Sequence, residues 1–110
     1  MGHTVTDLHE VAGRLIGEAQ RAASGRAAET IFSGSVQRST VVALTADAEM
    51  GEHDSPPAAL LQVISGRVRL HTHDQEWVLS AGQVVPVPSR RHAVSALEDS
   101  AFLLTVALHG

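Results

Sequence analysis

Two histidines one residue apart, His71 and His73, are the pair with the clearest chemical potential in this sequence. Neutral imidazoles are common ligands of divalent transition metals, so a His-x-His pair on one strand face is a candidate for metal binding. The same stretch alternates, however, and its apolar Val68 and Leu70 are expected to face the core. The histidines then lie outside, beside a hairpin tip, with Glu76 the only carboxylate expected nearby. We therefore expect a solvated polar face rather than a metal site.

Further candidate residues are the two arginines directly before His92, and Trp77. The guanidinium forks of Arg90 and Arg91 match a carboxylate, although a solvated loop pair is the more ordinary interpretation. Trp77, the single tryptophan, is expected on the inward-facing side of its strand. There it is either part of the core or a stacking wall for a ligand. The sequence contains no glycine-rich phosphate loop, no Gly-x-Ser-x-Gly motif and no cysteine, which excludes disulfides and thiolate chemistry.

The composition indicates a single folded domain. The chain has 110 residues, of which 44% are hydrophobic, and a formal net charge of −4. Its arginines are scattered, so we expect no nucleic-acid partner. No apolar run approaches the roughly 20 residues that span a bilayer, and the N-terminus lacks the pattern of a signal peptide. We therefore expect a cytoplasmic protein that does not bind a membrane.

The elements that position these side chains are one helix and about eight short strands. Thr4 to Asp7 has capping-box spacing, and the apolar stripe behind it predicts a helix over residues 5–23 that packs against a sheet or a partner subunit. Regular turn signals separate the strands, which favours a sandwich or a closed barrel. The predicted strands are 28–32, 37–46, 59–65, 67–73, a hairpin partner after 75, 83–87, 92–97 and 101–108, with a loop over 47–57.

A two-residue turn at 74–75 is predicted to close the hairpin that carries the histidine pair. This turn fixes the register between the two strands. In that register, each inward-facing residue of one strand is opposite an inward-facing residue of the other, and the same holds for the outward-facing residues. This agreement supports the hairpin. The expected cross-strand partners are Thr72 with Trp77, Leu70 with Leu79 and His73 with Glu76.

Residues 37–108 resemble the cupin family of small jelly-roll barrels. The first family motif runs from a glycine through His-x-His and a glutamate to a second glycine, and His53 and Gly66 stand at its thirteen-residue separation. Gly82, a turn at Pro88 and His92 match the second motif, with the glycine one residue nearer than usual. The resemblance implies an all-β cupin double-stranded β-helix preceded by an N-terminal α-helix. Residues 1–27 would be helix and arm, and residues 28–110 the barrel.

The positions that carry the family's chemistry are mostly changed. Typical cupins hold a divalent metal with three histidines and one glutamate. Ser55 stands where a motif histidine is expected, and Ala59 where the glutamate is expected. Asp47 replaces the first glycine, which is tolerable because Asp also adopts left-handed turns. The resemblance therefore leaves at most His53 and His92 as ligands of a divalent transition metal.

Two functions from different classes remain open. The first is a non-catalytic cupin whose barrel is packed or binds a small apolar or weakly acidic ligand. The second is a metal-dependent enzyme of the dioxygenase, isomerase or lyase type that uses His53 and His92. The sequence identifies no ligand and no reaction. The family resemblance also leads us to expect a homodimer, because a lone barrel would not readily bury the N-terminal strand and the alanine-rich helix. The expected ligand pocket comprises His53, Ser55, Leu61, Val63, Trp77, Arg90, His92 and Phe102, with Val94 and Leu104 beside them.

Overall fold

The fold is all-β with one N-terminal helix, as the sequence predicts. The computed structural model describes residues 4–53 and 56–109, and for residues 52 and 53 it describes the backbone only. One helix and nine strands make up these described parts of the chain. They are α1 (Leu8–Arg21), β1 (Arg26–Ser33), β2 (Gln37–Leu44), β3 (Glu49–His53), β4 (Ala59–Ser65), β5 (Arg67–His71), β6 (Glu76–Ser80), β7 (Val84–Pro86), β8 (His92–Ala96) and β9 (Ser100–Ala107).

Helix α1 begins later than its sequence pattern predicts. The side chain of Asp7 accepts hydrogen bonds from the backbone N–H groups of His9 and Glu10, at 3.0 and 3.2 Å. Asp7 is therefore the N-cap, and the predicted capping box at Thr4 does not form. A carboxylate suits this position because it accepts from the exposed N–H groups and also balances the positive end of the helix dipole. No helix in the described ranges is long and apolar enough to cross a membrane.

The strands form two facing sheets. The first has five strands in the order β1-β2-β9-β4-β7, and the second has four in the order β3-β8-β5-β6. All the strand pairs are antiparallel. We call the side of the five-stranded sheet that carries Val42 its barrel face, and the side that carries Val41 its outer face, because these two residues belong to different cores.

The larger core fills the space between the two sheets, and a smaller one lies under the helix. Period-two alternation supplies inward side chains from both sheets to the first core. The second core forms where α1 lies on the outer face of the five-stranded sheet, so of the two predicted alternatives the helix packs against a sheet. The first comprises Val42, Leu44, Leu61, Val63, Val68, Leu70, Leu79, Val87, Val94, Ala96 and Phe102. The second comprises Val11, Ala12, Leu15, Ala19, Val41, Ala43, Ile64 and Ala101.

Strand β3 corrects the prediction of a loop over 47–57. Residues Glu49–His53 pair with β8, although their sequence has no apolar alternation and contains Gly51. Local propensity does not indicate a strand here, because backbone pairing with a strand about forty residues away along the chain creates it. The register shifts between Met50 and His53, so the strand is irregular near its end.

The hairpin register also differs from the prediction. Leu70 pairs with Trp77 and His71 with Glu76, so the loop spans residues 72–75 rather than two residues. The backbone N–H of Thr72 donates to the Gln75 carbonyl at 2.9 Å and closes this loop. The predicted pairing is displaced by two residues, and a two-residue displacement preserves the face of every side chain. The predicted inward and outward faces are therefore correct although the partners are wrong.

Candidate ligand site at the barrel mouth

One end of the barrel gathers the residues that the two motifs contribute. In the register of the four-stranded sheet, His53 of β3 is the partner of His92 of β8. Thr72 follows β5 with the same inward phase as Leu70, and it is 7% exposed. The backbone thus brings the two motif histidines to adjacent positions, as a shared site requires. We call this end the barrel mouth.

The five-stranded sheet supplies the opposite wall of the barrel mouth. Ala59, the first residue of β4, pairs with Val106 of β9, which in turn lies level with Arg38 of β2. The backbone N–H of Val87 donates to the Ala59 carbonyl at 2.9 Å and extends the row. The loop of residues 88–91 then leads directly into His92, so this row must lie across the mouth from the histidines.

The tautomer of His92 follows from one hydrogen bond. Its Nδ1 lies 2.8 Å from the backbone carbonyl oxygen of Arg90, and a carbonyl can only accept, so Nδ1 carries a proton and donates. In the neutral ring, Nε2 then carries a lone pair. The His92 side chain is buried, at 4% exposed. A histidine held in this way is suited to accept a proton, a hydrogen bond or a metal through Nε2.

Arg90 connects the loop before His92 to the hairpin loop. Its guanidinium donates to the Asp74 carboxylate and, at 2.8 Å, to Thr72 Oγ1. The hydrogen bond from Arg90 is the main reason why the pKa of Asp74 lies below its ordinary value. The predicted ligand residue Arg90 therefore lies at the mouth, but its guanidinium already binds a carboxylate of the chain itself.

Beneath the mouth the barrel is packed. Leu61, Val63 and Phe102 are fully buried in the core between the sheets, with no exposed surface. Trp77 is partly buried and packs against the same core, as its phase predicts. A ligand entering from the mouth therefore meets a closed apolar floor. Of the remaining predicted pocket residues, Ser55 lies outside the described residues.

The residues of the mouth do not fit the four-ligand metal site of typical cupins. Ala59, at the glutamate position, is packed against the core and has only a methyl group, which cannot coordinate an ion. Among the residues that the structure describes, no three side chains of His, Cys, Asp or Glu converge on one point. Two neutral imidazoles leave the charge of a divalent ion uncompensated and its coordination incomplete.

The outer histidine pair divides into two different environments. His73 is 83% exposed in its side chain, in agreement with the expected solvated face. His71 is not solvated in the same way, because Glu49 and Ser95 lie beside it on the outer side of the four-stranded sheet. Ser95 Oγ donates to Glu49 Oε2 at 2.8 Å, so His71 Nε2, at 3.1 Å, must donate to Ser95 Oγ. The predicted environment of His71 is wrong because β3, which carries Glu49, was not predicted.

Sequence reasoning missed two residues of the mouth. The sequence shows Arg38 only as one of several scattered arginines, and it predicts Thr72 only as a hairpin residue. Alternation along β2 from Val42 could have indicated that Arg38 shares the barrel face, because both have the same phase. The position of Arg38 relative to His92 depends on sheet order, which no local pattern contains.

Comparisons with solved structures find close likeness in fold. A conserved protein of unknown function from Streptococcus pyogenes is 24% identical, with a TM-score of 0.74 over 97% of this chain and 90% of the other. A cupin superfamily protein from Desulfitobacterium hafniense is 14% identical, with a TM-score of 0.71 over 76% and 77%. KdgF from a Halomonas species is 16% identical, with a TM-score of 0.69 over 81% and 84%.

No protein-family model matches the sequence, and no curated protein matches it either. At identities of 14 to 24%, the structural likeness shows the fold and leaves the activity open. The S. pyogenes protein covers nearly the whole chain, the N-terminal helix included, whereas the other two cover about four fifths or less. The jelly-roll barrel expected from the sequence resemblance is confirmed.

Proposed function

We propose that this chain, whose fold is that of a small cupin, is a non-catalytic protein that binds a small molecule at the barrel mouth. The observation that carries the proposal is the row of Ala59, Val87 and Val106, which gives the mouth an apolar wall where typical cupins present a carboxylate. Opposite this wall lie the polar side chains of His92 and Thr72, which are buried and held by hydrogen bonds. Small-molecule sites commonly combine apolar walls with a few fixed polar groups.

A metal-dependent enzyme is the alternative, and one observation favours it. His53 and His92 are register partners, and the hydrogen bond at Nδ1 of His92 leaves its lone pair on Nε2, the form that binds metals. If a divalent transition metal bound there, it would supply Lewis-acid or redox chemistry. The chain would have to complete the coordination with unusual ligands, since Ala59 provides none.

Elemental analysis of purified protein distinguishes the two functions. We expect metal far below one ion per chain, with the same trace content in wild type, His53→Ala and His92→Ala. One metal per chain in wild type that is lost in both variants would overturn the proposal in favour of the enzyme. His73→Ala is the matched control, because that imidazole is exposed and lies away from the mouth.

We also propose that the chain forms a homodimer, as its sequence led us to expect. Helix α1 covers only part of the outer face of the five-stranded sheet. In the register of that sheet, Phe32, Ser39, Thr105 and Leu60 follow one another across the uncovered part, and Phe32 and Leu60 are 53% and 49% exposed. Exposed apolar side chains on a flat sheet face favour association with a second copy, in which the Ser39–Thr105 pair would be covered as well. A cytoplasmic location stays a prediction.

A further inference from the structure

We propose that the barrel mouth selects a small carboxylate, an organic acid with a short apolar body, and that Arg38 binds its carboxylate group. This inference rests on the proposed function, since it names the ligand class of the same site. Three observations carry it: the face of the strand on which Arg38 lies, the strands that β2 faces across the barrel, and the charges around the guanidinium.

Arg38 lies on the barrel face of the five-stranded sheet. Along β2, Val42 belongs to the core between the sheets, and Thr40 and Arg38 follow it at two-residue intervals toward the mouth. A cross-strand contact agrees with this alternation: Oγ of the intervening Ser39 lies 2.9 Å from Thr105 Oγ1, on the face opposite to that of Leu104, which packs against the barrel core. Arg38 itself is level with Val106, in the row that forms the apolar wall. The long side chain of Arg38 therefore starts at the rim of the mouth.

The histidine positions lie across the barrel from Arg38. Val42 of β2 and Met50 of β3 line one opening between the two sheets, so β2 faces β3. From Met50, β3 continues toward the mouth and ends at His53, the register partner of His92. From Val42, β2 leads toward the same end and reaches Arg38. A ligand between the two sheets would thus have Arg38 on one side and His92 on the other.

The guanidinium of Arg38 is uncompensated within the described parts of the chain. No hydrogen bond or ion pair joins its side chain to another described residue. Asp74, the carboxylate of the hairpin loop beside the mouth, is already bound by Arg90. A carboxylate ligand would satisfy the cation through two parallel hydrogen bonds, the geometry for which arginine is best suited.

The remaining walls restrict the body of such an acid. Val106, Ala59 and Val87 present methyl groups, which favour an aliphatic chain over a sugar or a second charge. Leu61 and Phe102 below the mouth are fully buried in a packed core, so the body of the ligand cannot extend into the barrel, which favours a short one. Thr40 Oγ1, which shares one 3.3 Å contact with Thr30 Oγ1, keeps the capacity to hydrogen-bond a hydroxyl or keto oxygen next to the carboxylate.

A matched pair of probes tests the inference. We would add 3-methylbutanoate, or its neutral isostere 3-methylbutanamide, to protein that is uniformly ¹⁵N-labelled. The backbone amide resonances and the indole N–H resonance of Trp77 would be followed during each titration. We expect the acid to shift resonances of Thr40, Thr72 and His92 and to bind about tenfold more tightly than the amide. In Arg38→Gln, we expect the affinity for the acid to fall about tenfold, to that for the amide, which corresponds to the loss of one charge-assisted contact. Arg38→Lys should retain part of the difference.

Arg67→Gln is the control, because Arg67 is an exposed arginine at the opposite end of the barrel and should leave binding unchanged. Unchanged amide spectra of the free variants would show that each one folds. Equal affinities for the acid and the amide at the mouth would overturn the role of Arg38 and leave the proposed function standing. Wild-type affinity of Arg38→Gln for the acid would have the same two consequences. If neither probe shifts mouth resonances, both the inference and the ligand-binding function are contradicted.

Discussion

At the scale of single residues, two histidines of this chain are in opposite hydrogen-bonding states. His92 donates through Nδ1 to a backbone carbonyl, so its Nε2 carries the lone pair. His71 donates through Nε2 to Ser95, whose own proton goes to Glu49. The first arrangement suits a ring that receives something at Nε2, and the second suits a ring that joins neighbouring strands. Residue type alone does not separate these roles.

The Asp74–Arg90 contact gives the first expected outcome. Because Arg90 lowers the pKa of Asp74, the folded state gains stability from the ionised carboxylate above its unfolded pKa of about 4. That gain is lost as the pH falls through the lowered folded pKa. We therefore expect Asp74→Asn to lower Tm modestly at pH 7 and to differ less from wild type at about pH 2.5. Thermal unfolding followed by circular dichroism at both pH values measures this, with Glu98→Gln as an exposed control at the other end. A difference of the same size at both pH values would contradict the assignment.

The hydrogen bonds of the Ser95 hydroxyl give the second expected outcome. It joins Glu49 of β3 and His71 of β5 through a half-buried position on β8. We expect Ser95→Ala to destabilise the protein by about 1 kcal/mol, the net value of a typical hydrogen bond. Ser80→Ala, on the exposed part of β6, should change stability by much less. Urea unfolding of the two variants provides the comparison, and equal effects would show that the cluster contributes nothing specific.

At the scale of elements, two tight turns depend on backbone in the left-handed region. Gly66, between β4 and β5, has φ of 85°, and Asp47, in the turn before β3, has φ of 70°. Aspartate tolerates that conformation because its short side chain can hydrogen-bond locally. Asp47 can therefore form a turn that resembles one for which the cupin motif has a glycine.

Gly66 cannot be exchanged in the same way. A Cβ atom there would collide with Ser100 Oγ and with the backbone carbonyl oxygen of Asp99. We expect Gly66→Ala to cost about 2 kcal/mol or more, because strain at positive φ adds to this collision. Gly13→Ala is the matched control, since Gly13 lies in α1 with open space around its Cβ position, and it should stabilise the protein by about 1 kcal/mol. Chemical denaturation measures both changes, and a neutral Gly66→Ala would refute the steric argument.

At the scale of the whole molecule, the five-stranded sheet has two differently covered regions on its outer face. Where α1 lies, alanine and valine side chains are fully buried beneath it. Beyond the helix, Phe32, Leu60 and Val84 remain about half exposed. In the described residues the molecule thus buries its barrel and the sheet beneath its helix, and it leaves a part of the sheet with three exposed apolar side chains in water. A second copy of the chain would cover that surface.

Leu60→Glu tests the homodimer. We expect wild type to sediment as a dimer at micromolar concentration and Leu60→Glu as a folded monomer, because the new carboxylate would be desolvated in the interface. Leu97→Glu is the matched control, since Leu97 is 44% exposed but lies in the loop between β8 and β9, away from this surface. It should remain a dimer. Monomeric wild type would refute the proposal.

Sequence periodicity by itself determined which face each side chain takes. Alternation from Arg67 predicts that Val68 and Leu70 face inward, and Leu61 and Val63 are predicted to line the barrel; all four are buried. The predicted hairpin partners were wrong, yet every face was right, because a displacement of two residues leaves the phase unchanged. Local turn chemistry, read from Asp47, Gly66 and Gly82, also holds, and all three residues have positive φ.

Only the tertiary structure decided which residues meet across strands. The strand β3 exists because β8 pairs with it, and its own sequence carries no strand signal. Glu49 beside His71 and Arg90 bound to Asp74 are contacts between different elements, and the position of Arg38 relative to His92 depends on the order of the strands. A two-residue period in the sequence specifies on which side of its strand a side chain lies. It does not specify which strand pairs with that strand. The chemistry of the barrel mouth therefore arises from sheet order and register, which the packing of the whole chain selects.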